Sequence, residues 1–147
     1  MPGDYEISTD RARLDLPRVH RFLSTEAYWS PGVSFETVER SVAGSMPFGV
    51  YAPDGSQVGF ARVVTDRATF AWIADVYIEA EHRGHGLGKR LVEAILEDPE
   101  LQGLRRWLLA TADAHELYRR FGFDGVVRPE RFMARESAAA AQACSSG

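Results

Sequence analysis

The sequence lacks three features that would each point to a particular class of protein. It contains one cysteine, Cys144, so no intramolecular disulfide can form and a reducing compartment suits the chain. No apolar run approaches the ~18 residues that a membrane-spanning helix needs, and the first ten residues, MPGDYEISTD, lack the apolar core of a signal peptide. We therefore expect a cytoplasmic protein with no membrane partner.

An excess of positive charge is the third missing feature. The chain has 17 Lys and Arg against 21 Asp and Glu, which gives a formal net charge of -4. Proteins whose whole surface holds nucleic acid are basic, so this balance argues against a nucleic-acid partner. Any cationic site in this chain must therefore be local.

No internal repeat and no linker rich in Gly, Ser or Pro divides the 147 residues. The hydrophobic fraction of 45% and the charged fraction of 26% are those of an ordinary globular protein. We expect one domain over residues 1–136. The small residues of the segment 137–147, SAAAAQACSSG, offer little to bury, so we expect a disordered tail there.

Hydrophobic periodicity predicts alternating strands and helices. The clearest signal is a hairpin over FGVYAPDGSQVGFARVVTD, in which Pro-Asp-Gly separates two extended runs. The aromatic and β-branched run ATFAWIADVYI favours a central strand beside it. The remaining elements are a first strand at DYEIST, helices at LPRVHRFLS, SFETVERSVAG, LVEAIL and AHELYRRF, a strand at RRWLLAT, and late strands near FDGVV and RFMAR. This pattern predicts an α/β fold with a mixed, mostly antiparallel central sheet flanked by helices.

The stretch EAEHRGHGLGKRLVEAILED joins the central strand to a helix through a bare, cationic turn. Gly84, Gly86 and Gly88 let a ligand approach the backbone and leave the first N–H groups of the helix unobstructed. These donors, the helix dipole and the neighbouring cations favour a phosphate or pyrophosphate. The alternative is a glycine-rich connection with a solvated basic rim.

Spacing rules out two familiar phosphate sites. In a P-loop four residues separate the glycines and the lysine precedes Ser or Thr, whereas here three residues separate Gly84 from Gly88, and Arg90 follows Lys89. The segment GHGLG also departs from the dinucleotide pattern G-x-G-x-x-G, and its strand follows an antiparallel hairpin. Nucleotide hydrolysis and nicotinamide binding are therefore not favoured.

The same residues resemble the GNAT superfamily of acetyl-CoA-dependent N-acetyltransferases. The family's pyrophosphate loop has Arg or Gln, two residues, Gly, one residue, and Gly or Ala, which is similar to Arg83, Gly86 and Gly88. The segment LYRRFGF, residues 117–123, is similar to a later signature of the family. The resemblance covers about residues 4–135, and it implies the GNAT fold with acetyl-CoA as the acyl-donor substrate and no metal.

The resemblance also implies roles for particular residues. Tyr118 is implied as the general acid that protonates the departing CoA thiolate; the alternative is a tyrosine that only packs against the core or cofactor. Position 110, where members often carry Asn, is Ala, and we expect Asp113 to cap the following helix. The residues implied to bind acetyl-CoA, mainly through their backbone, are Val76, Tyr77 and Ile78 for the pantetheine arm, and Arg83, Gly84, His85, Gly86, Leu87, Gly88 and Lys89 for the pyrophosphate.

The general base is not fixed by this pattern. Trp72 stands where some members have a Glu, and a tryptophan cannot take a proton. Asp75, three residues further on, is a candidate base, and a hydrogen-bonding role in the fold is its alternative. A water chain could serve instead.

The acceptor is expected to be a primary amine of a small molecule or an amino acid that attacks the thioester directly. Tyr28 and Trp29 could form an aromatic wall for it, or could pack the first two helices together. Arg62 could pair with an acceptor carboxylate, and Trp72 could contribute to the same cleft. The competing function is a non-catalytic acyl-CoA-binding sensor or interaction module. A monomer or a homodimer would fit either function.

Overall fold

Five strands form one sheet in the computed structural model, which describes residues 4–138. The first four strands pair antiparallel, and the fifth pairs parallel with the fourth. The prediction of a mixed, mostly antiparallel sheet is confirmed. In the order of the sheet, which is also that of the sequence, the strands are β1 (Glu6–Ser8), β2 (Met46–Tyr51), β3 (Gln57–Thr65), β4 (Phe70–Ile78) and β5 (Arg106–Leu108).

Two helices cover one face of the sheet. They are α1 (Leu16–Thr25) and α2 (Phe35–Ala43), and α2 begins as predicted at Ser34, whose hydroxyl accepts a hydrogen bond from the Thr37 N–H. Their apolar sides meet the sheet in a buried cluster made of Val19, Phe22, Leu23, Ala27, Val38, Val42, Phe60 and Tyr77. The loop between them, residues 26–34, lies at the edge of this layer.

The helix that links β4 to β5 covers the opposite face. This helix, α3 (Leu87–Glu97), places Leu87, Leu91 and Ile95 in the larger apolar cluster, together with side chains of β2, β3 and β4. Because α3 connects two parallel strands, it forms the crossover that such strands require. The short helix α4 (His115–Arg119) follows β5 and carries the buried Tyr118.

The prediction of late strands near FDGVV and RFMAR is wrong. Residues 122–137 contain no strand, and the segment Pro129–Arg131 forms a 3-10 turn instead. Val127 and Met133 are 92% and 97% exposed, so these apolar side chains lack the burial that favours a strand. Most of the predicted tail, including Cys144, lies outside the described residues.

The described part of the chain contains neither a membrane-spanning helix nor a cluster of metal-binding side chains. None of the helices within residues 4–138 has the length and apolar character needed to cross a membrane. Over the same range, no three or more His, Cys, Asp or Glu side chains gather where a metal ion could be held.

Candidate active site

The site begins where β4 and β5 separate. These strands pair only over Phe70–Trp72 and Arg106–Leu108, although β4 continues to Ile78. The β5-facing edge of residues 73–78 therefore has no strand partner within the described range 4–138. A gap of this kind, at the carboxyl ends of parallel strands, is where open α/β sheets bind ligands.

A cleft of about 500 Å³ occupies this gap. Its walls come from the α1–α2 loop, from β3 and β4, and from the segment between β5 and α4. It brings together all the predicted acceptor and catalytic residues, which come from four separate parts of the sequence. The predicted site residues that line it are Tyr28, Trp29, Arg62, Trp72, Asp75, Val76 and Tyr118.

A β-bulge in β4 shapes the floor of the cleft. Phe60 pairs with Tyr77, and Arg62 pairs with Ala74, so two residues of β4 face a single residue of β3 between these pairs. Asp75 is one of the two, and its φ of 54° lies in the left-handed region. The extra residue breaks the alternation of side chains, so Ile73 packs on the α3 side while Tyr77 packs on the side of α1 and α2.

The carboxylate of Asp75 is held by two donors. Trp29 Nε1 donates to Oδ1 at 2.8 Å, and Arg62 Nε donates to Oδ2 at 2.6 Å. Arg62 also donates through Nη1 to Ser45 Oγ at 3.2 Å. This network joins the α1–α2 loop to the bulge of β4, so Asp75 has the hydrogen-bonding surroundings that were the alternative to its role as a base.

The two aromatic residues of the α1–α2 loop form one wall of the cleft. The Tyr28 and Trp29 rings meet edge to face, with centroids 5.0 Å apart. The Tyr28 hydroxyl accepts a hydrogen bond from the Ala112 N–H at 2.9 Å, on the opposite side of the gap. Trp29 packs on the α1–α2 cluster, as one of the two alternatives foreseen for this pair requires, and it also lines the cleft.

Tyr118 lies on the α4 side of the cleft. Its side chain is 7% exposed, and its ring packs edge to face on Phe123 with centroids 5.9 Å apart. Burial, with smaller contributions from the Asp113 charge and from Tyr28, raises the pKa of Tyr118 to about 12. The phenol is therefore protonated at neutral pH and can donate a proton or a hydrogen bond.

The glycine-rich turn lies beyond the end of β4 and begins α3. Gly84 and Gly86 have φ values of +88° and +71°, a conformation that favours glycine, whereas Gly88 lies within the first turn of the helix. Gly86 occupies the N-cap position and provides no capping side chain. The first N–H groups of α3 have no intrahelical partner, so they are available to an anion.

The cations around this turn are partly engaged within the fold. Arg83 Nε donates to the Ile78 carbonyl at 2.8 Å, and Arg90 donates through Nη2 to the Tyr5 carbonyl at 3.0 Å. Lys89 is exposed beside them. Arg83 thus fastens the turn to the end of β4 while its positive charge stays close to the N-terminus of α3.

The remaining predicted cofactor residues lie along the path from the cleft to this turn. Val76 lines the cleft, and Ile78 is buried at the end of β4. The side chain of Tyr77 points away from the gap and stacks on Phe22, with centroids 3.8 Å apart. Only its backbone could face a ligand, as the sequence interpretation requires. His85 and Leu87 belong to the turn and to the start of α3.

Sequence reasoning missed the wall formed after β5. Residues 109–114 line the cleft, and Thr111 and Asp113 are the polar side chains among them. The capping role expected for Asp113 is wrong: the N-cap of α4 is Ala114, with no side-chain cap, and the Ala114 N–H donates to Thr111 Oγ1 at 3.0 Å. The signal that could have identified residues 109–114 was their position immediately after a strand that runs parallel to β4.

Comparison with known proteins points to one enzyme family. The model of the acetyltransferase (GNAT) family matches residues 16–123. A protein of Gibberella zeae assigned as an acetyltransferase is 33% identical over 137 residues, which cover 79% of this chain and 76% of that protein. The residues matched by the family model include both the glycine-rich turn and the helix that carries Tyr118.

Solved structures agree with the sequence comparison. A Xanthomonas campestris pv. campestris protein assigned to the GNAT family has a crystal structure that matches this one with a TM-score of 0.89, and the two sequences are 43% identical. The match covers 92% of this chain and 95% of that one. A Mycobacterium tuberculosis protein crystallised with CoA shares the fold with a TM-score of 0.69 at 21% identity, covering 95% of this chain and 81% of that one.

The raised pKa of Tyr118 predicts a difference in stability at high pH. Folded Tyr118 ionises less readily than unfolded Tyr118, so its contribution to the free energy of unfolding is present below pH 10 and is lost as the pH rises towards 12. Tyr118→Phe cannot ionise. In urea unfolding between these pH values, we expect the variant to lose less stability than the wild type.

All other titrating groups are common to the two proteins, so the difference between their pH profiles isolates Tyr118. Equal losses of stability in the variant and the wild type would show that the phenol is not held in a desolvated site.

Proposed function

Because this chain belongs to the acetyltransferase (GNAT) family, we propose that it transfers an acetyl group from acetyl-CoA to a primary amine of a small molecule or an amino acid, by direct attack of the amine on the thioester. The observation that carries this proposal is the continuous path from the unpartnered edge of β4 to the N-terminus of α3. The cleft with the protonated Tyr118 lies at the other end of this path.

Acetyl-CoA is the acyl donor of the family, and two features of this chain fit it. In our proposal the backbone of Val76, Tyr77 and Ile78 pairs with the pantetheine arm as an added strand would. The N–H groups of residues 84–89 hold the pyrophosphate, assisted by the charges of Arg83 and Lys89. The positive φ values of Gly84 and Gly86 and the empty space around them support this assignment, because a side chain there would cover the donors.

The reaction requires a proton at the sulfur. As the new nitrogen–carbon bond forms and the carbon–sulfur bond breaks, the thiolate leaves with a negative charge. We propose that the Tyr118 hydroxyl donates its proton to this sulfur. Tyr118 lines the cleft, and its raised pKa means that the hydroxyl carries its proton at neutral pH.

The amine must also lose a proton, because an alkylammonium with a pKa near ~10.4 is mostly protonated at neutral pH. Asp75 is the less exposed of the two carboxylates that line the cleft, and each of its oxygens already accepts one strong hydrogen bond. A carboxylate oxygen can accept a second. We therefore propose that Asp75 orients the attacking amine, or the water that receives its proton. The four histidines do not line the cleft, so a water relay supports this role better than an imidazole.

In our proposal the acceptor occupies the part of the same cleft that the α1–α2 loop lines. Tyr28, Trp29 and Trp72 supply apolar walls, and the ion pair of Arg62 and Asp75 lies at its floor. A volume of about 500 Å³ suits a small molecule. We propose that the enzyme acts in the cytoplasm, as a monomer or a homodimer.

A first prediction concerns the donor site. Gly86→Glu adds bulk and negative charge at the N-terminus of α3, so acetyl-CoA binding measured by calorimetry should be abolished. Gly103→Glu is the matched control. Gly103 has a φ of +75° and open space around it, as Gly86 has, but it lies in the exposed turn before β5.

The control separates loss of binding from loss of folding. Both substitutions force a non-glycine residue into the left-handed region, which costs roughly 1–2 kcal/mol. The two melting temperatures should therefore fall by similar amounts, while only Gly86→Glu loses affinity. An unchanged affinity of the Gly86→Glu variant for acetyl-CoA would show that acetyl-CoA does not bind at this turn.

A second prediction tests the chemistry. Tyr118→Phe removes the acid and keeps the ring that packs on Phe123. Turnover, measured as thiol release from acetyl-CoA with a pool of primary amines, should fall by roughly 10²- to 10⁴-fold. The lower end is expected because a CoA thiolate leaves more easily than an alkoxide. The affinity for acetyl-CoA should change little.

The same assay separates an enzyme from an acyl-CoA sensor. A sensor would bind acetyl-CoA without amine-dependent thiol release by the wild-type protein. Near-normal turnover by Tyr118→Phe together with an altered affinity for acetyl-CoA would instead make Tyr118 a packing residue, and the proton would come from solvent.

A further inference from the structure

The cationic side chain of the acceptor cleft is already neutralised. Arg62 Nε and Asp75 Oδ2 lie 2.6 Å apart, and their side chains are only 20% and 12% exposed. A second nitrogen of the same guanidinium donates to Ser45 Oγ. A carboxylate on the acceptor would have to compete with Asp75 for this charge, and a partly buried ion pair resists the loss of one partner.

A second carboxylate in the cleft forms no such ion pair within the residues that the structure describes. Asp113 lines the wall after β5, and none of the salt bridges found among the described residues includes it. It does not cap α4 either. One guanidinium and two carboxylates therefore leave the cleft with one uncompensated negative charge, on the side that carries Tyr118.

The aromatic wall of the cleft is fixed before any acceptor arrives. Tyr28 is bonded through its hydroxyl to the Ala112 N–H, and Trp29 through its indole N–H to Asp75. The Trp29 N–H is thereby engaged within the fold and the Tyr28 ring is held across the gap, so both rings line the cleft together with Trp72. Such rings attract a flat apolar group, and they also attract a cation through their faces.

From these features we propose that the acceptor is an arylalkylamine: a flat apolar group that carries a cationic amine and no carboxylate. The aromatic wall holds the ring, and the uncompensated charge of Asp113 attracts the ammonium and repels an α-carboxylate. This inference rests on the proposed acetyl transfer and narrows its acceptor from small amines and amino acids to amines alone. Asp113 is the residue that sets the specificity.

The test compares acceptors that differ in the charge of one substituent. Phenethylamine, phenylalanine and phenylalaninol share a ring and an amine, and phenylalaninol replaces the carboxylate by a neutral group of similar size. At saturating acetyl-CoA and low salt, kcat/KM for phenethylamine should exceed that for phenylalanine by about tenfold or more. The kcat/KM for phenylalaninol should be close to that for phenethylamine, because the charge of the substituent and not its bulk determines the preference.

Asp113→Asn should reduce the ratio of kcat/KM for phenethylamine to that for phenylalanine severalfold, chiefly by lowering KM for phenylalanine. Asp124→Asn is the matched control, since Asp124 is an exposed aspartate outside the cleft whose Oδ1 accepts from the Gly125 N–H at 2.8 Å, a bond that asparagine can keep. It should leave the preference unchanged. Because Asp113 is exposed, added salt should also weaken the wild-type preference.

The outcomes distinguish this inference from the function on which it rests. Equal or faster acetylation of phenylalanine, a preference that survives in Asp113→Asn, or faster acetylation of a lysine-containing peptide would overturn the arylalkylamine assignment and leave the acetyl transfer standing. If the wild type binds acetyl-CoA and acetylates neither these amines nor any amine of the pool used to test the proposed function, that function fails and this inference fails with it.

Discussion

An extra residue in β4, opposite Ala61 of β3, moves the side chains of Ile73 and Tyr77 to opposite faces of the sheet. Without it, these two side chains would share a face, because they are four residues apart in a strand. The bulge coincides with the part of β4 that no longer pairs with β5, and it puts the Asp75 carboxylate between the guanidinium of Arg62 and the indole of Trp29. The cleft, its floor and one of its walls thus depend on one local irregularity of the backbone.

The bulge costs free energy of folding, and the hydrogen bonds of Asp75 offset that cost. An aspartate in the left-handed region costs of the order of 1 kcal/mol, and Asp75 also gives up water around a side chain that is 12% exposed. Two hydrogen bonds to its carboxylate, at 2.6 and 2.8 Å, contribute more than neutral hydrogen bonds would because the acceptor is charged. The same contacts fix the α1–α2 loop to the sheet, so the aromatic wall is ordered before an acceptor binds. In our proposal this pre-organisation reduces the entropy that binding must remove.

Local signals predicted most of the fold. The Pro-Asp-Gly turn, the Ser34 cap and the periodicity of α1 and α3 are short-range features, and the structure has each of them as expected. The late strands failed because β-propensity requires a neighbouring strand, and Val127 and Met133 find none. The site was only partly predictable: a motif identifies the glycine-rich turn and Tyr118, whereas the bulge and the position of Asp113 depend on pairing between distant segments.

Amide hydrogen exchange with and without acetyl-CoA tests most directly whether the donor lies along β4 and the start of α3. The account predicts slower exchange within residues 73–78 and at the first N–H groups of α3, because the pantetheine arm and the pyrophosphate would bond to them. A second groove lies between β5 and residues 121–132, lined by Trp107, Phe121 and Phe132 among others. Protection confined to that groove, with unchanged exchange in β4 and α3, would contradict the account.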